Sequence, residues 1–342
     1  VVLLTSKSRT SPLRTRVRKN EEEDAYLDEI EYLTPMEAET ASELASVLTT
    51  SLQRVGATAN TQAFLDALAN NNLAQANFVL GWAELADAID ILEQILAAQM
   101  RVGGALGLPS VSVGFDYSFS ATNQFAIDWA KREAARRIVE LTLEQQGLVR
   151  ETIMQALTGA FDVRDVARIV QQSIGLHSRW ARAVEKRYQQ VLSSNLASGM
   201  PVGRATGLAR DIAMRYHDEL LRKRSMTIAR TEVLAAHNAG RYFTFEEAIG
   251  DGIAPSNALK KWVVRVPPRS GGTSLRWTTA SGRGRSKTIE YDSPCEDCLP
   301  YNGLMVPWNE EFEPGVMMPP LHPNCVCTAV LIIPEQPEYL PL

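Results

Sequence analysis

Apolar residues recur at three- and four-residue steps through most of the first 250 positions, and give way after Gly250 to short alternating runs. Thr34-Pro35-Met36-Glu37 reads as a capping box with proline at the first helical position, and predicts a helix from there to about Val55, ended by Gly56. Trp82, Leu85, Ile89, Leu92 and Leu96 fall in one stripe on a second helix. So short a repeat suits an intramolecular bundle contact better than a coiled-coil seam between subunits. Gly103, Gly104, Gly107, Pro109 and Gly114 predict a loop over 101–119, with Phe115, Tyr117 and Phe119 alternating as in a short strand.

Helical spacing resumes near Thr122, with Phe125 and Trp129 one turn apart, and continues through Ile153, Leu157 and Phe161. Asp162 can cap a short helix bearing Val163, Val166 and Val170. Leu176, Trp180, Tyr188 and Leu192 share a face of the next helix, closed by Gly199 and Pro201. A long helix then runs from about Arg204 to Ala248, with Leu208, Ile212, Tyr216 and Leu220 four apart. Beyond Gly250, Lys261–Val266, Ser274–Thr278, Thr288–Tyr291 and Cys325–Ile333 read as strands. The fold class is mainly α: a multi-helix N-terminal region with a small C-terminal α+β domain. The expected divisions are a flexible charged arm over 1–33, a helical domain over 34–225, the small domain over 226–333 and a Pro-rich tail over 334–342.

Composition adds exclusions. The chain has 342 residues, 45% hydrophobic and 22% charged, with a net charge of −5, the profile of a soluble globular protein and not of a generally nucleic-acid-binding one. No apolar run is long enough for a transmembrane helix, and Val1-Val2-Leu3-Leu4 is too short for a signal-peptide core. Residues 1–20 carry six cations and no acid, and Glu21-Glu22-Glu23-Asp24 follows at once, the pattern of a solvated tail or a binding arm.

All four cysteines fall between 295 and 327. The pattern is Cys295-x2-Cys298, then His322-x2-Cys325-x-Cys327. Zinc takes four thiolate or imidazole ligands in a tetrahedron, and a Cys-x2-Cys turn supplies two sulfurs from one knuckle. On a strand, Cys325 and Cys327 would face the same side. Five candidates compete for four positions: the four cysteines, or three of them with His322. The alternatives are local disulfides, which these spacings make tight, or reduced buried thiols. A catalytic zinc would want an open position and an aimed general base, and nothing in the sequence aims Glu296 or Asp297 at a water.

Ile228-Ala229-Arg230-Thr231-Glu232, followed by Ala236, Asn238, Ala239 and Gly240, resembles the helix signature of phage Mu F-like minor head (head-morphogenesis) proteins. Lys261-Trp262 resembles that family's next strand. Asp292, Cys295 and Cys298 resemble its cysteine turn, Tyr301-Asn302-Gly303 a following step, and Pro319, Pro320, His322, Pro323, Cys325 and Cys327 its closing motif. The ordered resemblance covers about residues 150 to 330, with the stretch between Val266 and Ile289 looking inserted. It implies a structural virion component near the portal vertex, assembled in the host cytoplasm and acting in head assembly, with a role in DNA packaging or ejection also implied. The implied partners are the portal protein, the major capsid protein or both, with no membrane and no small-molecule substrate. In the reducing cytosol, structural zinc is favoured over disulfides.

Arg230 and Glu232, two apart on a helix, cannot pair with each other and are expected either to bond to the C-terminal domain or to face solvent. His237 reads as a packing residue. Between Asp251 and Glu290 no acid occurs, and Arg269, Arg276, Arg283, Arg285 and Lys287 beside Trp277 could contact a partner protein or grip double-stranded DNA non-specifically. No Gly-x-Ser-x-Gly elbow, His-Glu-x-x-His or P-loop is present, and the chain is expected not to be an enzyme. The rival readings are a zinc-containing DNA-binding protein, or a phage-encoded enzyme or toxin, for which Cys327 with His322 would be the thiol nucleophile pair.

Overall fold

The computed structural model describes residues 21–70, 72–105, 124–158, 162–264 and 297–333. Among them are eight helices: α1 (Glu21–Thr58), α2 (Gln62–Ala69), α3 (Leu73–Val79), α4 (Ala83–Ala105), α5 (Gln124–Thr158), α6 (Val163–Ser173), α7 (Ser178–Ala197) and α8 (Val202–Gly250). Strands β1 (Leu259–Val263), β2 (Met305–Pro307) and β3 (Thr328–Ile332) form an antiparallel sheet in the order β2-β1-β3. The architecture is mainly helical with a small C-terminal sheet. No described helix is long and apolar enough to cross a membrane. The strands expected at 274–278 and 288–291, the one suspected at 115–119, and the basic loop carrying Arg269, Arg276, Arg283, Arg285 and Lys287 lie outside the described residues, as do the first 20 residues and the Pro-rich tail.

α1 begins thirteen residues before the expected cap and passes through Thr34-Pro35, so residues 21–33 are helix and not arm. At Pro35 the missing N–H costs one backbone bond, which the helix tolerates.

Of the predicted stripe, α4 buries Leu85, Leu92 and Leu96 at 0–1% exposure, with Ile89 half-buried and Trp82 half-buried just before the helix, each buried leucine contributing about 1.5–3 kcal/mol. The helix also runs on to Ala105, through Gly103 and Gly104, which the sequence assigns to a loop. These glycines are a packing device. A Cβ at Gly103 would lie 1.9 Å from the His237 carbonyl oxygen, and one at Gly240 would lie 2.0 Å from that of Met100. α4 and α8 therefore cross backbone to backbone, and Thr244 Oγ1 donates to the Gly104 carbonyl at 3.0 Å.

α8 is one continuous helix, so the boundary expected at 225/226 falls inside it. Its first turns bury Ala205, Ala209 and Ala213 in place of the larger residues, with Leu208 38% exposed and Ile212 and Tyr216 half-buried, and of the predicted stripe only Leu220 is buried. Small side chains let α7 approach closely, and the alanine stripe outcompetes the leucine stripe for the interface. The Asp162 cap is present, its carboxylate accepting from Arg164 N at 3.4 Å. Gly199, at φ +80°, takes the left-handed conformation that closes α7.

The last two turns of α8 carry the sheet. Phe245 and Ala248 pack with Ala254, Ala258 and Leu331. On the other side of β1, Trp262 packs with Val264, Phe312, Ala329 and three cysteines. Trp262 is fully buried, 5.3 Å from the Tyr301 ring and 5.0 Å edge-on from Phe312.

Candidate metal centre

Two tight turns bring the candidate ligands together. In His322-Pro323-Asn324-Cys325, the Cys325 N–H donates to the His322 carbonyl at 3.1 Å and Asn324 sits at φ +60°. Proline second and a left-handed Asn third is the pattern of a type II turn. That turn places His322 and Cys325 at adjacent ends. Cys327 follows two residues later in extended chain just before β3, so Cys325 and Cys327 bury the same side while Val326 does not. Cys298 enters from a 3-10 turn (Leu299–Tyr301), in which Tyr301 N donates to Cys298 O at 3.0 Å. Gly303, at φ +84°, lets its N–H return to the Trp262 carbonyl at 2.8 Å and ties this turn to β1.

The sulfurs of Cys298, Cys325 and Cys327 lie within 4.8 Å of one another, and all three residues are at most 2% exposed. Cys298 Sγ is 3.7 Å from Cys325 Sγ and 3.2 Å from His322 Nε2. A zinc–sulfur bond near 2.3 Å gives a tetrahedral sulfur–sulfur edge of about 3.8 Å, and a sulfur–nitrogen edge of about 3.5 Å. The trio of thiols fits that ion. It does not fit a disulfide among the described cysteines, because 3.7 Å far exceeds the roughly 2.05 Å of an S–S bond. His322 Nδ1 lies 2.9 Å from the Pro323 carbonyl. A proton on Nδ1 donated there leaves Nε2 as a lone-pair donor toward Cys298, the outer-shell arrangement of ligating histidines. Without an ion the thiols share their protons. The hydrogen bond from Cys327 pulls Cys325 down to about 5, and the same bond together with burial pushes Cys327 up.

Of the five sequence candidates, Cys298, Cys325 and Cys327 come together, His322 lies at the edge of that trio with Nε2 against Cys298, and Cys295 lies outside the described residues. His322 Nε2 addresses Cys298, while Cys327 is fully buried. Asp297 is exposed beside the cluster.

The knuckle is docked on α8 by Thr227, which sequence reading passed over, and by Thr231 and Asn238, which it named only as motif residues without a contact. Asn324 N donates to Thr231 Oγ1 at 3.0 Å and Asn324 Nδ2 to Thr227 Oγ1 at 3.4 Å. Asn238, fully buried, donates from Nδ2 to the Cys327 carbonyl at 3.2 Å and accepts from Thr328 Oγ1 at 2.7 Å. Thr227, Thr231 and Asn238 recur at four and seven residues, a polar stripe inside an apolar face, and that signal could have found them. Glu232 does not reach the small domain. It pairs with Arg137 Nε of α5 at 2.7 Å, because the step of about 100° around the helix from Thr231 aims it at the bundle. Burial pushes its carboxyl up to about 7. His237 packs as expected, accepting from Arg241 Nε at 3.1 Å, with a Glu37 oxygen 4.0 Å from its other nitrogen.

Lys260 of β1 is also buried. Its ammonium donates to the Met317 carbonyl at 2.7 Å and lies 5.4 Å from the Tyr242 ring centre and 5.1 Å from that of Phe312. Burial draws its pKa down to about 8. The contact ties the Met317–Leu321 approach of the knuckle to both α8 and β1.

Compared with protein-family models, curated proteins and solved structures, the chain matches none.

Proposed function

We propose that this chain is a minor capsid protein of a phage head, structural and not catalytic, whose small C-terminal domain is locked by one zinc ion. Cys298, His322, Cys325 and Cys327 are the four ligands, and the ion's part is to cross-link the 298 turn, the 322–327 knuckle and, through Asn238 and Thr231, helix α8. The observation that carries the structural role is the burial of three convergent thiols, none of which can meet a substrate. Four protein ligands leave no open position for a reacting water.

The head-protein reading rests on the Mu F-like motifs. It is supported by the way those motifs, separated by up to about 90 residues, meet in one unit: Thr231 and Asn238 of the helix signature hold Asn324 and Cys327 of the closing motif. Its partners are the portal or major capsid protein, and its place is the portal vertex of the virion. Co-expressed with the portal and major capsid proteins of its source genome, the chain should co-sediment with head-sized particles in substoichiometric amount. A chain that stays at the top of the gradient contradicts the reading. The ligand set has its own test, a chelator competition. His322→Ala should weaken zinc binding at least tenfold and Cys295→Ser should not, and the reverse result would replace His322 by Cys295 in the site.

A further inference from the structure

The chain as a whole is acidic, yet Ser178 to Arg224, the hairpin of α7 and the first half of α8, holds ten Arg and Lys against four Asp and Glu, a local charge of +6. The helix geometry sorts these charges. α7 buries Val184 and Tyr188 against the bundle. On the opposite face, at steps of three and four, stand Arg179, Arg182, Lys186, Gln190 and Ser193, all exposed. From Arg179 to Ser193 this stripe spans about 21 Å of straight helix. The single carboxylate of α7 is drawn away from it: Glu185 pairs with buried Arg168 at 2.5 Å, and that guanidinium lies 3.6 Å over the Tyr188 ring. None of Arg179, Arg182 and Lys186 has a carboxylate partner among the described residues. Arg187 is exposed on the flank, and Lys223 of α8 stands 5.7 Å from the Trp180 ring at the same end.

We infer that the exposed face of α7 binds the phosphate backbone of duplex nucleic acid without reading its sequence. Cations with hydroxyl and amide donors are the groups that take up phosphate oxygens. An acidic protein partner fits less well. Protein interfaces are built on a buried apolar or aromatic centre, and between Arg179 and Ser193 this face exposes no large apolar side chain. The same lack argues against insertion into an anionic membrane. Duplex is favoured over single strands because the stripe offers no free aromatic platform: Trp180 is half-buried, with His177 4.5 Å away and Lys223 over it. The inference is independent of the metal centre and of the head-protein reading.

The test is fluorescence anisotropy of a labelled random-sequence 30-base-pair duplex titrated with the full chain at several sodium chloride concentrations. The triple variant Arg179→Gln/Arg182→Gln/Lys186→Gln should bind at least tenfold more weakly at 0.1 M salt. Its slope of log K against log salt should be shallower by about 2.7, from 0.9 per lost phosphate contact. The charge-preserving R179K/R182K pair should keep the native slope, and the triple variant should keep the native melting temperature, which separates lost contact from lost fold. Native protein that ignores the duplex, or that binds polyglutamate and not the duplex, overturns the inference. So does a triple variant with an unchanged slope.

Discussion

Replacing Gly240 by alanine tests how α8 is held at the level of the metal knuckle. The new Cβ would sit 2.0 Å from the Met100 carbonyl oxygen, its carbonyl carbon would be 2.8 Å away, and both belong to a helix backbone and not to a flexible side chain. Reaching ordinary contact near 3.4 Å needs about 1.4 Å of separation between α4 and α8, and close-packed interiors resist such a shift. Overpacking of this kind costs about 1–3 kcal/mol, and more when backbone must move. The alanine returns about 1 kcal/mol of helix propensity. With the cost at the upper end of that range because backbone must move, the net loss should be about 2 kcal/mol, which at about 2.1 cal/mol/K per residue lowers the melting temperature by about 3 °C in a chain of this size. Gly147 supplies the control: it also lies within a helix, and nothing stands within 4 Å of its would-be Cβ. Gly147→Ala should therefore be neutral or stabilising by up to about 1 kcal/mol. Urea unfolding followed by circular dichroism reads all three proteins. A Gly240→Ala protein within 0.5 kcal/mol of wild type would refute the close crossing. The double variant with Gly103→Ala should lose less than the sum of the two singles, because one separation of the helices relieves both clashes.

Other consequences follow from the buried charges and the knuckle. Glu232 has a folded pKa raised to about 7 from 4.5, so its contribution to stability is full below pH 4.5 and is lost as pH rises through 7; Glu232→Gln should flatten that part of the stability–pH curve, and an unchanged curve would contradict the assignment. Lys260 behaves oppositely: a base lowered from 10.5 to about 8 makes the unfolded chain bind the extra proton between those values, so stability gains from this group as pH rises from 8 to 10.5. Lys260→Met should remove that gain in the difference between the two proteins' urea midpoints. Asn238→Ala strips a buried carbonyl and a buried hydroxyl of their partner and should cost about 1–3 kcal/mol. It should also speed proteolysis within 297–333 more than within the helices, and uniform digestion would count against the docking role. Cys298→Ser should loosen the same segment while leaving the helical circular dichroism largely intact.

The parts of the fold that were legible in the chain were those set by local periodicity. Asp162 announces α6, Gly199-Met200-Pro201 announces the α7–α8 turn, and the Leu85–Leu96 stripe announces a buried face. The misread parts are those where a partner decides. Gly103 and Gly104 look like loop residues until α8 is laid across them. Leu208 looks like core until the smaller Ala205, Ala209 and Ala213 win the contact with α7. The candidate ligands were legible because metal chemistry restricts such residues to few types at short spacing, and His322-Pro323-Asn324-Cys325 carries its own turn instructions. The docking role of Thr227, Thr231 and Asn238 was not, even though two of them lie in the helix signature, since hydroxyls and amides on a helix read as solvent-facing until something packs against them. The α7 cations were hidden for a similar reason. Spaced three and four apart among apolar residues and the single acid Glu185, they form a patch only once the helix turns them to one side.

The most direct test of the metal centre is elemental analysis of the purified chain together with titration of its four thiols. The account predicts about one zinc per chain, with the thiols of Cys298, Cys325 and Cys327 reacting only after a chelator is added. No bound metal, with four thiols freely reactive in the native protein, would contradict it.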